Sequence, residues 1–237
     1  MKLVWCPDLA SKAYIDGVRV IADQQDDLGG PSEVAELVSA MAGGWNAQLI
    51  VEAPDVSEAS SSSSSSTSSS PSTRRSGPAA TSLALAAAAR RTGGRYACVL
   101  PDAVSAVAYA GSGGAPLFQP VVGDADEAMA RLEGVDLLVV DARRRDAAAV
   151  LRAARPGPRG MVVVRHGDGR RRGAAAAVMA AGTRVVRSVY LPIGKGGVEV
   201  LHVGVGKGPS LQTRAVAGRW IRHVNHDTGE EHVFRRQ

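Results

Sequence analysis

Short apolar runs alternate with stretches of helical period along most of this chain. Residues 8–24 (DLASKAYIDGVRVIADQ) space Leu9, Ala13, Val20 and Ile21 along one helix face, with Asp8 placed to cap it. A second helix is predicted over residues 31–41, opened by Pro31 and closed by Gly43 and Gly44. Residues 48–53 (QLIVEA) read as a short buried strand ending in Glu52, and residues 81–91 (TSLALAAAARR) as a helix with Thr81 or Ser82 near its start. Strands then follow at 96–100, 119–122, 135–140 and 161–164, separated by helices at 103–110, 127–132 and 146–154. A Gly- and Arg-rich loop and an alanine helix fill residues 167–181. Two last strand-like runs, 185–191 and 198–205, are joined by a Gly-Lys-Gly-Gly turn signal.

Strands parted by helices imply a parallel sheet covered on both faces. With the terminal hairpin, the pattern predicts a Rossmann-like, doubly wound α/β domain of seven strands, mostly parallel, with the last inserted in reverse. A chain of 237 residues suits one such domain, drawn here over residues 1–208. Residues 55–76 form a serine tract unable to bury apolar surface, and are expected to be a disordered insertion. Residues 209–237 form a separate basic tail, with a hairpin expected to turn at Asp227-Thr228-Gly229.

Composition removes several function classes. The aromatic complement is three Trp, four Tyr and two Phe, so the core must be aliphatic and packed through alanine. The net charge of +5 gathers in arginine clusters at Arg90–Arg91, Arg143–Arg145 and Arg170–Arg172, with few aromatics between them. A nucleic-acid stacking surface is therefore not expected. Cys6 and Cys98 provide neither a disulfide framework nor a metal-ligand spacing. His223, His226 and His232 in the tail match no common zinc pattern, so no metal site is expected. No stretch reaches membrane-spanning length and no signal-peptide core opens the chain, which places the protein in the cytoplasm or nucleus by expectation.

The candidate chemistry sits at strand ends. Glu52, Asp102, Asp124 and Asp141 each follow an apolar strand. One acid in such a place serves as a helix cap, but four in succession mark the carboxyl edge where open α/β sheets bind ligands. Asp124 and Asp141 would emerge side by side if their strands were neighbours. Carboxylates accept hydrogen bonds from hydroxyls and amines, so the edge suits a nucleoside better than a phosphate. A run of Gly204, Gly206 and Gly208 has no following helix to present amides, so it is not a dinucleotide loop.

The order of elements, the terminal hairpin and the acid placement resemble class I S-adenosylmethionine-dependent methyltransferases. That resemblance implies S-adenosylmethionine as cofactor and a small molecule as methyl acceptor. It further implies that Glu52, with Gly77 and Ser82 in the loop and helix start SGPAATSLALAAAA, lines the methionine end. Asp102 would hold the ribose, and Asp124 with Ala125 the adenine. Asp141, in DLLVVDA, would face the reacting centre. His166 is the candidate general base, since methyl transfer to oxygen or nitrogen requires a proton to leave. A more specific similarity is to a plant family, domain of unknown function 1442, grouped as methyltransferase-like. It rests on ASKAYID, AELVSAMAGGWNAQLIVE and the tail WIRHVNHDTGEEHVFRR.

Two departures separate the chain from active members. Ala53-Pro54 and the serine tract stand where a compact glycine loop would follow Glu52. Arg165-His166 replaces the Asp-Asn pair of metal-dependent O-methyltransferases, so a magnesium site is not expected. Two functions stay open at this point: a methyltransferase, or a catalytically inactive member acting as a binding module through its serine tract or tail. A nicotinamide-dependent enzyme is disfavoured because its glycine fingerprint is missing.

Overall fold

The computed structural model describes residues 4–23, 32–56, 79–110, 117–167, 175, 178–179, 182–194 and 196–206, and in the tail the backbone of 220–224 and 231–235. Gly77, the serine tract from residue 57 on, most of the expected alanine helix and the tail's turn lie outside the described residues.

Two helices, α1 (Pro7–Ala22) and α2 (Glu33–Gly44), precede the first strand, β1 (Leu49–Ala53). Helix α3 (Ala80–Thr92) leads to β2 (Arg95–Leu100), and α4 (Ala103–Ala110) to β3 (Gln119–Val122). Helix α5 (Ala125–Ala130) is followed by two short strands, β4 (Glu133–Val135) and β5 (Leu137–Asp141). Then come α6 (Ala147–Ala153), β6 (Arg155–Pro156), β7 (Met161–His166), β8 (Thr183–Leu191) and β9 (Val198–Val205). In the tail β10 (Trp220–Val224) pairs antiparallel with β11 (Glu231–Arg235), the expected hairpin.

The main sheet has seven strands in the order β3-β2-β1-β5-β7-β9-β8. All neighbours from β3 to β7 are parallel, and β9 runs antiparallel to both β7 and β8. This is the predicted mostly parallel sheet with one strand reversed. Alternation along each strand sends two sets of side chains to opposite faces. Val51, Val99, Leu138 and Val163 pack with Ala128, Met129, Val150 and Leu151 of α5 and α6. Ile50, Cys98, Leu137 and Val162 pack with Val38, Leu85, Ala88 and Tyr109 on the other face. Seven consecutive residues of α3, Leu83 to Ala89, are buried. Five of them are alanine, which allows the helix to lie between the sheet and the α1–α2 pair. Where α1 meets α2, Ser39 donates to the Ala13 carbonyl at 2.6 Å, and a Cβ on Gly17 would come within 2.7 Å of that hydroxyl.

Two local expectations change. Asp8 is paired with Lys12 at 2.8 Å instead of capping α1, which begins at Pro7, a residue that needs no N–H partner. The strand predicted over 135–140 is broken at Asp136. Its carboxylate accepts from the Gln48 and Leu49 amides at 2.8 and 3.2 Å and from Arg159 at 3.0 Å. The apolar run hid this break because one polar residue in a strand pattern reads as a solvent-facing position. Asp136→Ala, which removes a largely buried acceptor from two amides at the start of the central strand, should cost roughly 2–4 kcal/mol in urea denaturation.

Candidate functional site

The register determines which strand-end groups meet. Leu100 pairs with Val122, so Asp102 and Asp124, each two residues further on, leave adjacent strands at the same level. Asp141 pairs with His166. The two acids expected side by side, Asp124 and Asp141, are separated by β2 and β1. Three strand spacings put them about 14 Å apart. The reason is the winding: the chain moves outward from β1 to β3, then crosses back to the other side of β1 to form β5. That reversal opens the crevice between β1 and β5 in which such sheets bind ligands.

Glu52 does not face this crevice freely. It is 2% exposed, and both carboxylate oxygens are bound from within. Thr81 donates to one oxygen at 2.8 Å, while Ser82, at 2.7 Å, and the Tyr96 hydroxyl bond the other. The Ser82 and Tyr109 hydroxyls lie 2.7 Å apart, which brings α4 into the same cluster. Thr81 and Ser82 therefore do not cap α3, whose N-cap is Ala79; they spend their hydroxyls on the acid at the end of β1. Burial raises the Glu52 carboxyl above its ordinary range, with the nearby Asp141 charge adding to this, while the Tyr96, Ser82 and Thr81 bonds oppose the rise.

Asp102 and Asp124 are exposed. The Ser105 amide and hydroxyl donate to Asp102 at 2.7 and 2.9 Å, and these bonds lower its pKa. Asp124 caps α5 only through its backbone carbonyl, which accepts from Ala128 at 2.8 Å; its side chain makes no capping bond. Ala125, 3% exposed, packs inward beside it.

The other half of the edge is a tight polar couple. Asp141, 4% exposed, accepts from the Arg143 backbone at 2.9 Å and from its guanidinium at 2.7–3.3 Å. Burial works to raise the Asp141 carboxyl, but the Arg143 bonds and the His166 charge together hold it below the usual carboxylate range. His166 is half-buried, and desolvation, helped by Arg143, lowers its pKa against the pull of Asp141. A depressed imidazole is neutral at pH 7, the form a general base requires. Gly167, at φ +94°, completes the corner, where a Cβ would fall 2.6 Å from Asp141 Oδ1.

Arg144 lies between the two halves. It is 7% exposed, and its Nη1 donates to the Val99 carbonyl of β2 at 2.6 Å and, at 3.5 Å, to the carbonyl of Pro54. Nε and Nη2 hold Asp146 at 2.5 and 2.9 Å. Nothing in the run Arg143–Arg145 distinguishes the middle arginine, since clustered arginines in a loop read as solvated. Among the described residues no group of three or more His, Cys, Asp or Glu is placed to hold a metal ion. No described helix is long and apolar enough to cross a membrane. An open depression of about 460 Å³ lies at the far end of α3, beside Ala89, Arg90, Gly94 and Leu117, and none of the strand-end acids lines it.

The strand order and the polar carboxyl edge define an open, doubly wound α/β protein with its winding reversal between β1 and β5. The chain belongs to the family described as Protein of unknown function (DUF1442), whose profile matches residues 1–236. No curated protein matches it. Among solved structures it is similar to a methyltransferase from Geobacter sulfurreducens, at 13% identity and a TM-score of 0.47 over 80% of this chain and 88% of that one. TrmN from Thermus thermophilus is similar at 10% identity and TM-score 0.42, over 84% of this chain and 53% of that one. The SAH-bound Podospora anserina methyltransferase PaMTH1 is similar at 12% identity and TM-score 0.40, over 86% and 90%.

Two outcomes check this chemistry. A carboxyl whose folded pKa is raised contributes stability that is complete below its unfolded value, about 4.3, and lost as pH rises through the folded value. Glu52→Gln should therefore gain stability relative to wild type between pH 5 and pH 8, whereas Glu52→Ala, which strands three hydroxyls, should lose roughly 2–4 kcal/mol in denaturant melts. By NMR titration the His166 imidazole should have its midpoint below about 6.5. Arg143→Gln should move that midpoint upward, because it removes the neighbouring cation.

Proposed function

We propose that this chain binds S-adenosylmethionine or S-adenosylhomocysteine along the carboxyl edge of its sheet and transfers a methyl group to a small acceptor. The observation that carries the reading is the division of the edge into two polar halves about the winding reversal. On one side the exposed carboxylates of Asp102 and Asp124 stand level on adjacent strands, a donor set suited to ribose hydroxyls and a base amine. On the other side are Asp141 and a neutral His166. A ligand with a nucleoside at one end and an amino-acid arm at the other has the shape to bridge them.

The fit is good at the nucleoside end, where Asp102 and Asp124 are exposed, while Ala125 is buried in the core beside them. It is poor at Glu52, whose oxygens are occupied by Thr81, Ser82 and Tyr96. Glu52 and Ser82 therefore act in this reading by seating the start of α3, and not by touching the ligand. The bound cofactor supplies an electrophilic methyl carbon. The chain's own contribution is alignment of acceptor and methyl donor, and removal of the acceptor's proton by a ring nitrogen of His166. Asp141, tied to Arg143, orients that corner and stabilises the imidazolium as it forms.

A second reading has a specific observation in its favour. Glu52 is satisfied by Thr81, Ser82 and Tyr96, and Arg144 by Val99, Pro54 and Asp146, as they would be in a member that kept the sheet and lost the cofactor. Such a protein would act as a binding module, with the serine tract or the tail as its contact to protein partners. Titration calorimetry separates the two. Wild type should bind S-adenosylmethionine or S-adenosylhomocysteine with measurable heat, and Asp102→Ala and Asp124→Ala should each weaken binding by about 5- to 50-fold, one lost charged hydrogen bond apiece. No heat and no thermal shift at millimolar ligand would leave the binding-module reading standing.

A further inference from the structure

The guanidinium of Arg144 crosses the path between the two halves of the edge. Its backbone belongs to the loop after β5, its Nη1 reaches the carbonyl of Val99 on β2, and the carbonyl of Pro54 just past β1 lies beside the same nitrogen. One side chain thus spans the carboxyl ends of β5, β1 and β2. Any ligand running from Asp102 and Asp124 to Asp141 and His166 must pass over the end of β1, where this arginine sits.

The bonds that hold it are unequal in character. Towards the sheet, Nη1 serves main-chain carbonyls, one at 2.6 Å and one at a weak 3.5 Å. On its other flank a single carboxylate, Asp146, takes both Nε and Nη2. The Arg144 side chain is 5% exposed but that of Asp146 is 37% exposed, so the anchor is partly solvated while the plug is not. Asp146 also makes no side-chain bond to the start of α6, so its carboxylate is committed to the arginine alone among the helix-start contacts. A guanidinium held on this flank by one half-solvated carboxylate is held there by a water-accessible contact of small net energy.

We propose that Arg144 is an autoinhibitory plug, filling the crevice at the β1–β5 reversal and withdrawn from it when the ligand enters. The proposal rests on the cofactor reading given above. Its consequence is a competition: the closed arrangement lowers the apparent affinity by the fraction of molecules in which the arginine is out of the crevice. Removing the plug must then tighten binding even as it costs stability, whereas a residue with a merely structural role would weaken binding when lost.

The experiment is titration calorimetry of the full chain with S-adenosylhomocysteine and S-adenosylmethionine, comparing wild type, Arg144→Met and Asp146→Asn. Methionine keeps the buried stem without the charge. Asp146→Asn loosens the anchor and leaves the arginine and the start of α6 in place, so it carries the test if Arg144→Met does not fold. Near-ultraviolet circular dichroism establishes that each variant is folded. The expected result is binding about 10-fold tighter in Arg144→Met, and a smaller gain in Asp146→Asn, with a lower melting temperature in the former. Equal dissociation constants in all three proteins would overturn the plug and leave the cofactor reading intact. Weaker binding by Arg144→Met and Asp146→Asn would overturn the plug too, making the guanidinium part of the ligand's floor. Heat from none of the three would overturn the cofactor reading, and the plug with it.

Discussion

The buried carboxylate of Glu52 is the interaction on which the arrangement of this protein depends. It stands one residue before the end of β1, beside the winding reversal, where a charge is costly to bury. Three hydroxyls meet it there, two from the first turn of α3 and one from β2, and a fourth from α4 joins through Ser82. One side chain thereby ties β1 to α3, β2 and α4, the three consecutive elements that follow the serine tract. Its cost is offset by those bonds only while all of them are made, since a half-satisfied buried network is worse than none. The same bonds take Glu52 out of the set of groups that a ligand could reach.

With that acid committed, the working surface of the edge divides. Asp102 and Asp124 remain open because α4 and α5 begin beside them and use only part of their capacity to accept. Asp141 and His166 remain polar but tightly held: Arg143 and His166 lower the acid's pKa against its burial, and desolvation, helped by Arg143, lowers that of the imidazole. Arg144 occupies the ground between. Electrostatically the edge is not the acidic rim that four strand-end carboxylates suggest. Of the four strand-end acids, Asp102 and Asp124 on the β2–β3 side are exposed, while Glu52 and Asp141 are buried and held by internal partners.

The fold was legible for a physical reason. Strands read as short apolar or alternating runs and helices show helical period, so strands 119–122 and 198–205, and the helix 103–110, have the bounds that the pattern predicts. The break at Asp136 and the hydroxyl roles of Thr81 and Ser82 were not legible. In each case a polar residue has two ordinary local uses, as solvent-facing position or helix cap, and it is a group far along the chain that selects a third. Asp136 serves the amides of Gln48 and Leu49; Thr81 and Ser82 serve Glu52.

The sequence by itself determined the element types, the reversed seventh strand and the placing of acids at strand ends, because these follow from periodicity and local geometry within about ten residues. Tertiary structure decided the neighbours. Whether Asp124 stands beside Asp102 or Asp141 depends on where the chain reverses its winding, and no local pattern encodes that choice. Which arginine of Arg143–Arg145 is buried depends on which one finds two carbonyls and a carboxylate within reach. Those partners come from β2, from the end of β1 and from the arginine's own loop, and only the assembled sheet brings them to one place.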